Sequence, residues 1–227
     1  YQQLIKTFKK NNNNNNIQIS TITLKKMFAC FANPSNINNT KEMEVEHRER
    51  SMTKVPSNKY DLICKIAKSK HPIYLANSTM EDKQYIAKVF PQDIAGKNKY
   101  FYENEKSFSC LQHPNIISIV DGEEDRFIQT EENEVQKASV IYMEHAPYGD
   151  FFNVKIEKGI QFDEKLARSY FHQLIEGLEA MHERGLAHLD IKLDNLLLGE
   201  DFKLKITDFD LSYNPEYSTA QPSKGTA

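Results

Sequence analysis

The stretch HLDIKLDNLLLGEDFKLKITDFD, His188–Asp210, places two short apolar runs, Asn195–Leu198 and Phe202–Ile206, beside Asp190, Asn195 and Asp208. Acids and amides depress strand formation, so their position next to strands calls for a chemical reason. Carboxylate and amide oxygens suit a hard cation such as Mg²⁺, which also binds phosphates. A second carboxylate can orient a hydroxyl and accept its proton. Lys192, two residues past Asp190, can hold a phosphate oxygen as a point charge. Phosphoryl transfer needs this kind of set, because it rests on positioning and charge neutralisation rather than covalent chemistry. Any one of these residues alone reads as part of a polar loop between strands. Their joint spacing is what speaks for chemistry.

Working outward, the chain has 227 residues, is 39% hydrophobic and 27% charged, and carries a net charge of −3. That balance gives no reason to expect nucleic acid or an anionic membrane as the main partner. No apolar run is long enough to cross a bilayer as a helix. Cys30, Cys64 and Cys110 are scattered, show no zinc spacing, and read as free thiols of a reducing, intracellular compartment, with the cytoplasm expected. Histidines lie outside any metal-ligand pattern. No signal peptide is visible. The chain starts at Tyr1 and ends at Ala227 in "SKGTA", which reads as a fragment at both ends.

Residues 1–57 form an Asn-rich and charged leader, with the Asn11–Asn16 run and "KEMEVEHRER" at Lys41–Arg50. Such tracts bury too little apolar area to offset chain entropy, so the leader is expected to be mostly disordered. Only Ile17–Phe28 has the β-branched texture of a strand. From Asn58 the texture changes. "YDLICKIA", "PIYLAN", "KQYIAKVF", "HPNIISIV" and "ASVIYMEHA" read as strands. "NKYFYENEKSFSCLQ" reads as a helix with Phe101, Glu105, Phe108 and Leu111 on one face. A longer helix comes next in "FDEKLARSYFHQLIEGLEAMHERG", with Leu166, Tyr170, Leu174, Leu178 and Met181 at helical spacing, Asp163 as N-cap and Gly185 as stop.

The opening stretch resembles the catalytic and metal loops of eukaryotic protein kinases of the serine/threonine type. "HLDIKLDN" looks like H-R-D-x-K-x-x-N, and "DFD" stands where D-F-G is expected. The resemblance extends backwards and forwards in order, over roughly Tyr60 to the end. "YIAKVF" looks like the V-A-I-K strand, which makes Lys88 the phosphate-binding lysine. "ENEKSF" looks like the regulatory helix, with Glu105 rather than Glu103 as the partner of Lys88, because Glu105 shares the apolar face. "HPNI" looks like the turn after that helix. "VIYMEHAPYGDFF" looks like the strand and hinge that hold adenine: Met143 as gatekeeper, Glu144 and Ala146 as backbone partners, Asp150 as ribose contact. Leu197 would lie under the adenine, opposite Ile73 and Ile86. In the catalytic loop the resemblance implies that Asp190 orients the substrate hydroxyl, Lys192 neutralises phosphate, and Asn195 and Asp208 hold Mg²⁺. "KGTA" looks like the segment before A-P-E, with Thr226 bracing Asp190 and Lys192.

The resemblance implies an α+β, two-lobed protein-kinase-like fold. It divides into a leader over 1–57, a small β-rich lobe over 58–145 and a helical large lobe over 146–227, incomplete because A-P-E and later helices are absent. ATP is expected between the lobes. The implied activity is transfer of the γ-phosphate of Mg·ATP to a protein serine or threonine hydroxyl. ATP and a protein substrate are the partners, with no nucleic acid and no membrane. The fragment alone is expected to be unstable and inactive.

Three departures qualify the resemblance. Counting back from Lys88 without gaps, the family's loop glycines fall at Ile66, Lys68 and His71, so close backbone approach to phosphates is lost and weaker ATP binding is expected. Leu189 replaces the arginine that reads a phosphate on the activation loop, so phosphorylation at Tyr217, Ser218, Thr219 or Ser223 is expected to change activity little. Asp210 replaces the glycine of D-F-G and adds a carboxylate near the metal ligands. The rival readings are a pseudokinase acting as a nucleotide-binding or scaffolding module, and a small-molecule phosphotransferase of kinase-like fold.

Overall fold

The computed structural model describes residues 59–67, 70–129, 134–154 and 162–216. The leader, Lys68, Thr226 and the four activation-loop hydroxyl residues lie outside them. The described residues divide into two units: a strand-rich one holding 59–110 and 118–145, and a helical one holding 111–117 and 146–216.

The strand-rich unit is built on an antiparallel five-stranded sheet of order β1-β2-β3-β5-β4. Its strands are β1 Tyr60–Ala67, β2 Ile73–Ser78, β3 Gln84–Pro91, β4 Ile119–Gln129 and β5 Val135–Glu144. Period-two alternation gives the sheet two faces. Tyr74, Ala76, Ala87, Val89, Ile128, Ala138, Val140 and Tyr142 form the core of one. Lys88, Phe90, Ile141 and Met143 alternate with them and are buried too. Helix α1, Lys97–Lys106, packs on β3 and β5. Asp93 caps it by accepting the N–H groups of Lys97 at 3.2 Å and Asn98 at 3.1 Å, which satisfies two orphan donors of the first turn.

The helix expected through Leu111 changes character at Ser107, where a 3₁₀ turn, Ser107–Cys110, takes over. Ser107 Oγ donates to Asn104 O at 2.6 Å, and a serine that bonds back to the preceding turn competes with helical propagation. Phe108 and Leu111 are buried as expected, whereas Phe101 is only half-buried. The strand expected over "HPNIISIV" begins only at Ile119. His113–Ile116 is a turn closed by the Ile116 N–H to His113 O bond of 3.1 Å.

In the helical unit, α2 spans Glu164–His182. The Asp163 side chain accepts the Leu166 N–H at 2.7 Å, and Gly185 ends the following turn at φ 73°, a conformation open to glycine at no steric cost. The buried stripe of α2 is Ala167, Tyr170, Phe171, Leu174, Gly177, Leu178 and Met181. Leu166, expected on this stripe, is 40% exposed. It lies in the first turn, one position before Ala167, and so points off the buried face.

The hairpin expected from the opening stretch is present as β6, Leu196–Leu198, paired antiparallel with β7, Leu204–Ile206. It is shorter than the apolar runs at both ends. Asn195 belongs to a 3₁₀ turn, Leu193–Asn195, and Phe202 sits in the connecting turn at φ 56°. Helix α2 packs on β7. The Leu111–Ile117 segment is sewn to the same strand: Ile117 N–H donates to Ile206 O at 2.8 Å and Ile206 N–H to Asn115 O at 2.9 Å.

Candidate active site

In the strand-rich unit, β3 presents Lys88 and α1 presents Glu105. Their side chains meet at 2.5 Å, and both are buried. Glu103, the rival partner, is half exposed and lies 3.6 Å from Lys99 on the same helix. The difference follows from helical geometry, since Glu105 shares the buried side of α1 with Tyr102. Ile73 pairs with Lys88 across β2–β3, and Ile86 pairs with Met143 across β3–β5. Met143 is buried at the end of β5. Beside it, Glu144 closes a two-bond loop with Ser118: its N–H donates to Ser118 O at 2.9 Å, and its Oε1 accepts the Ser118 N–H at 2.7 Å.

In the helical unit, the catalytic-loop candidates converge on Asp190. Asn195 Nδ2 donates to Asp190 O at 2.8 Å and to Asp190 Oδ2 at 3.1 Å. Lys192 Nζ lies 2.9 Å from the same Oδ2. That hydrogen bond is the main cause holding the Lys192 ammonium above the ordinary lysine range, so it stays charged. His188 braces the loop from behind. Its Nε2 donates to Thr207 O at 2.8 Å, and its Nδ1 accepts the Asp190 N–H at 3.3 Å. A neutral ring with its proton on Nε2 satisfies both bonds, and burial lowers the His188 pKa, which favours that form.

Thr207 ties the metal candidates together. Its N–H donates to Asn195 O at 3.1 Å, and the next residue is Asp208. Leu189 and Asp208 hold φ of 64° and 69°, a sparsely populated region for residues with side chains. The backbone is therefore over-determined where Asp190 and Asp208 are placed, as at many functional sites. Asp210 is buried, and Ser212 Oγ donates to His188 O at 3.1 Å. Ala187 and Tyr213 exchange backbone bonds of 3.0 and 2.7 Å, which fastens the chain after DFD onto the chain before HLD.

Three further candidates belong to this unit. Ala146 is buried, and its carbonyl accepts the Gly149 N–H at 3.3 Å. Leu197 is half-buried in β6 and bridges Asp150. The Asp150 carboxylate caps its own segment, accepting the Asn153 N–H at 2.8 Å and Asn153 Nδ2 at 2.7 Å.

Sequence reasoning passed over Asn115 and Gln173. Asn115 Nδ2 donates to Leu204 O at 2.9 Å and to Gln173 Oε1 at 3.3 Å, and Gln173 Oε1 also accepts the Leu204 N–H at 2.9 Å. These amides hold β7, and through it Asp208, against α2. An asparagine after proline reads locally as turn chemistry, so its long-range partner carried no sequence signal.

Among the described residues no three His, Cys, Asp or Glu side chains gather as a metal cluster. The donor set fits Mg²⁺ all the same. Asn195 spends Nδ2 on Asp190, and its amide oxygen and the Asp208 carboxylate are the oxygen donors that could hold the ion. Mg²⁺ takes one or two protein oxygens and completes its shell with water and phosphate.

The protein kinase domain model matches residues 69–227, more than half of the chain. The chain belongs to the eukaryotic protein kinase family. This kinase chain is 41% identical over 144 residues to CBL-interacting protein kinase 26 of Oryza sativa subsp. japonica, covering 62% of the chain and 27% of the relative. It is 33% identical over 144 residues to CBL-interacting serine/threonine-protein kinase 12 of Arabidopsis thaliana, with the same coverage of 62% and 27%. It is 42% identical over 100 residues to serine/threonine-protein kinase chk1 of Schizosaccharomyces pombe, covering 44% of the chain and 18% of the relative. The kinase chain therefore spans about a quarter or less of the length of these relatives. No helix among its described residues is long and apolar enough to cross a membrane.

Proposed function

We propose that the protein is a serine/threonine protein kinase that transfers the γ-phosphate of Mg·ATP to a protein hydroxyl. The observation that carries this reading is the Asp190 carboxylate held between Asn195 Nδ2 and Lys192 Nζ. Asp190 accepts a hydrogen bond from the substrate hydroxyl and then its proton. Lys192 stays an ammonium and offsets charge on the transferring phosphoryl group. Lys88, steadied by Glu105, holds the nucleotide phosphates. Asn195 and Asp208 hold Mg²⁺, which when bound neutralises charge that develops on the phosphate oxygens.

Ile73, Ile86, Met143 and Leu197 supply apolar contact for adenine. Glu144 and Ala146 offer backbone groups to its edge, and Asp150 meets the ribose. Residues 1–57 act as a leader, 58–145 as the small lobe and 146–227 as the large lobe. The free thiols Cys64 and Cys110 support a cytoplasmic site of action.

One observation favours a second reading, a nucleotide-binding or scaffolding module without turnover. At the position counted as the third loop glycine, His71 carries a buried side chain. Phosphate transfer from Mg·ATP to a mixed protein substrate, measured on the full-length protein beside Asp190→Asn, separates the two. Transfer that vanishes in Asp190→Asn supports the kinase. No transfer, with a melting shift on adding Mg·ATP, supports the module.

A further inference from the structure

Lys70 and His71, just before β2, reach α1 with side chains that a glycine-rich turn would lack. His71 is 2% exposed, with its ring centroid 4.5 Å from that of Phe90 and 5.5 Å from that of Phe101. The neighbouring Lys70 places Nζ 3.3 Å from the centroid of the Phe101 ring, a cation–π contact. Phe101 lies on α1 one turn before Glu105. Phe90 lies on β3 two residues after Lys88, on the same face. Lys70 and His71 thus grip, at one place, both elements that carry the Lys88–Glu105 pair.

We propose that Lys70, His71 and Phe101 form a clamp that holds α1 in the position where Glu105 meets Lys88. All three are positioning residues. They act through the pair, with Lys70 and His71 supplying side-chain contacts where the family pattern has a glycine-rich turn. Its meaning for catalysis rests on the kinase reading, but its geometry does not. A consequence runs against the family pattern. Restoring the glycine by His71→Gly removes the ring that joins turn, sheet and helix, and so loosens the pair instead of improving nucleotide binding.

The test is residue-resolved labelling of lysine amines by reductive methylation on the full-length, nucleotide-free protein. Lys88 is expected to react about three- to tenfold faster in His71→Gly and Phe101→Ala, while the exposed Lys203 keeps its rate. His71→Phe, which retains a stacking ring, is expected to return Lys88 to its slow rate. Lys70→Met removes only an exposed charge and is expected to speed Lys88 about twofold without unfolding the protein. A uniform rise at every lysine would mean lost fold, and Lys70→Met then decides. Unchanged Lys88 labelling in Lys70→Met and Phe101→Ala overturns the clamp, as does a lower KM for ATP in His71→Gly. A wild-type protein with this labelling pattern but no phosphate transfer would sink the kinase activity and leave the clamp standing.

Discussion

The side-chain amide of Asn195 reaches both the carbonyl and the carboxylate of Asp190, at 2.8 and 3.1 Å. One residue thereby sets the orientation of the proposed base, and its amide oxygen is the proposed metal donor. Asp190→Asn is expected to lower kcat by about 10²-fold or more while the KM for ATP changes little, because it removes the proton acceptor and leaves the nucleotide contacts. Asn195→Leu is expected to lower kcat to a similar degree and also to raise the Mg²⁺ concentration needed for half-maximal rate. Steady-state kinetics with varied ATP and Mg²⁺ check both.

Lys88 and Glu105 are buried as a pair, so removing one leaves a charge without its partner in a dry setting. Glu105→Leu is expected to destabilise the fold by about 3 kcal/mol. The double variant Lys88→Met, Glu105→Leu is expected to recover most of that loss, though not nucleotide binding, because apolar groups of similar size replace a buried pair at little net cost. Urea midpoints of the two variants and the parent test this. A double variant no more stable than Glu105→Leu would refute it.

Gly177 on α2 allows a close approach. A Cβ there would stand 2.8 Å from Ile206 Cδ1 and 3.1 Å from the Asn115 carbonyl oxygen. Gly177→Ala would gain about 1 kcal/mol of helix propensity in an open setting. Here it is expected to cost about 1–3 kcal/mol net, since overpacking pushes α2 away from β7. Adding Ile206→Val, which deletes the crowding methyl, is expected to restore part of the loss in thermal unfolding.

Burial lowers the pKa of both His182 and His188. In the unfolded chain each titrates near about 6.5. As pH falls below that value the unfolded state binds protons that the folded state refuses, so stability drops on acidification and is level above it. Denaturation midpoints measured from pH 8 down to pH 5 should show this slope. His182→Leu is expected to make it shallower, and an unchanged slope would remove His182 from the account.

Elements governed by local periodicity were legible from the sequence. The strands β1, β2, β3 and β5, the long helix and its Asp163 cap follow from alternation, from 3.6-residue spacing and from side-chain capping chemistry. Glu105 over Glu103 was legible too, because the apolar side of α1 is readable from its neighbours. Element ends set by tertiary contact were harder to place. Leu166 reads as core on a helical wheel, but it stands one position before Ala167 at the edge of the buried stripe and is 40% exposed. Phe202 reads as strand, yet the β6–β7 turn takes it at positive φ. The buried rings at His71 and the amide bonds of Asn115 depend on partners far along the chain, which pattern alone does not reveal. The acidic and amide residues around Asp190 stood out because they contradict the strand texture beside them, and local rules break most readily where chemistry needs them to.

The Asp150 cap bears on the ribose role proposed for that residue. Each of its carboxylate oxygens already takes an N–H from Asn153, so a ribose hydroxyl would have to share an occupied acceptor instead of meeting a waiting one. A kinase built this way gains less from the hydroxyls of its nucleotide than one with an uncommitted acid at that position. With Asp150 as the proposed ribose contact, the preference for ATP over 2′-deoxy-ATP should be shallow, and an Asn153→Ala variant, which removes the Nδ2 donor from Oδ2 while its backbone N–H stays on Oδ1, should steepen it.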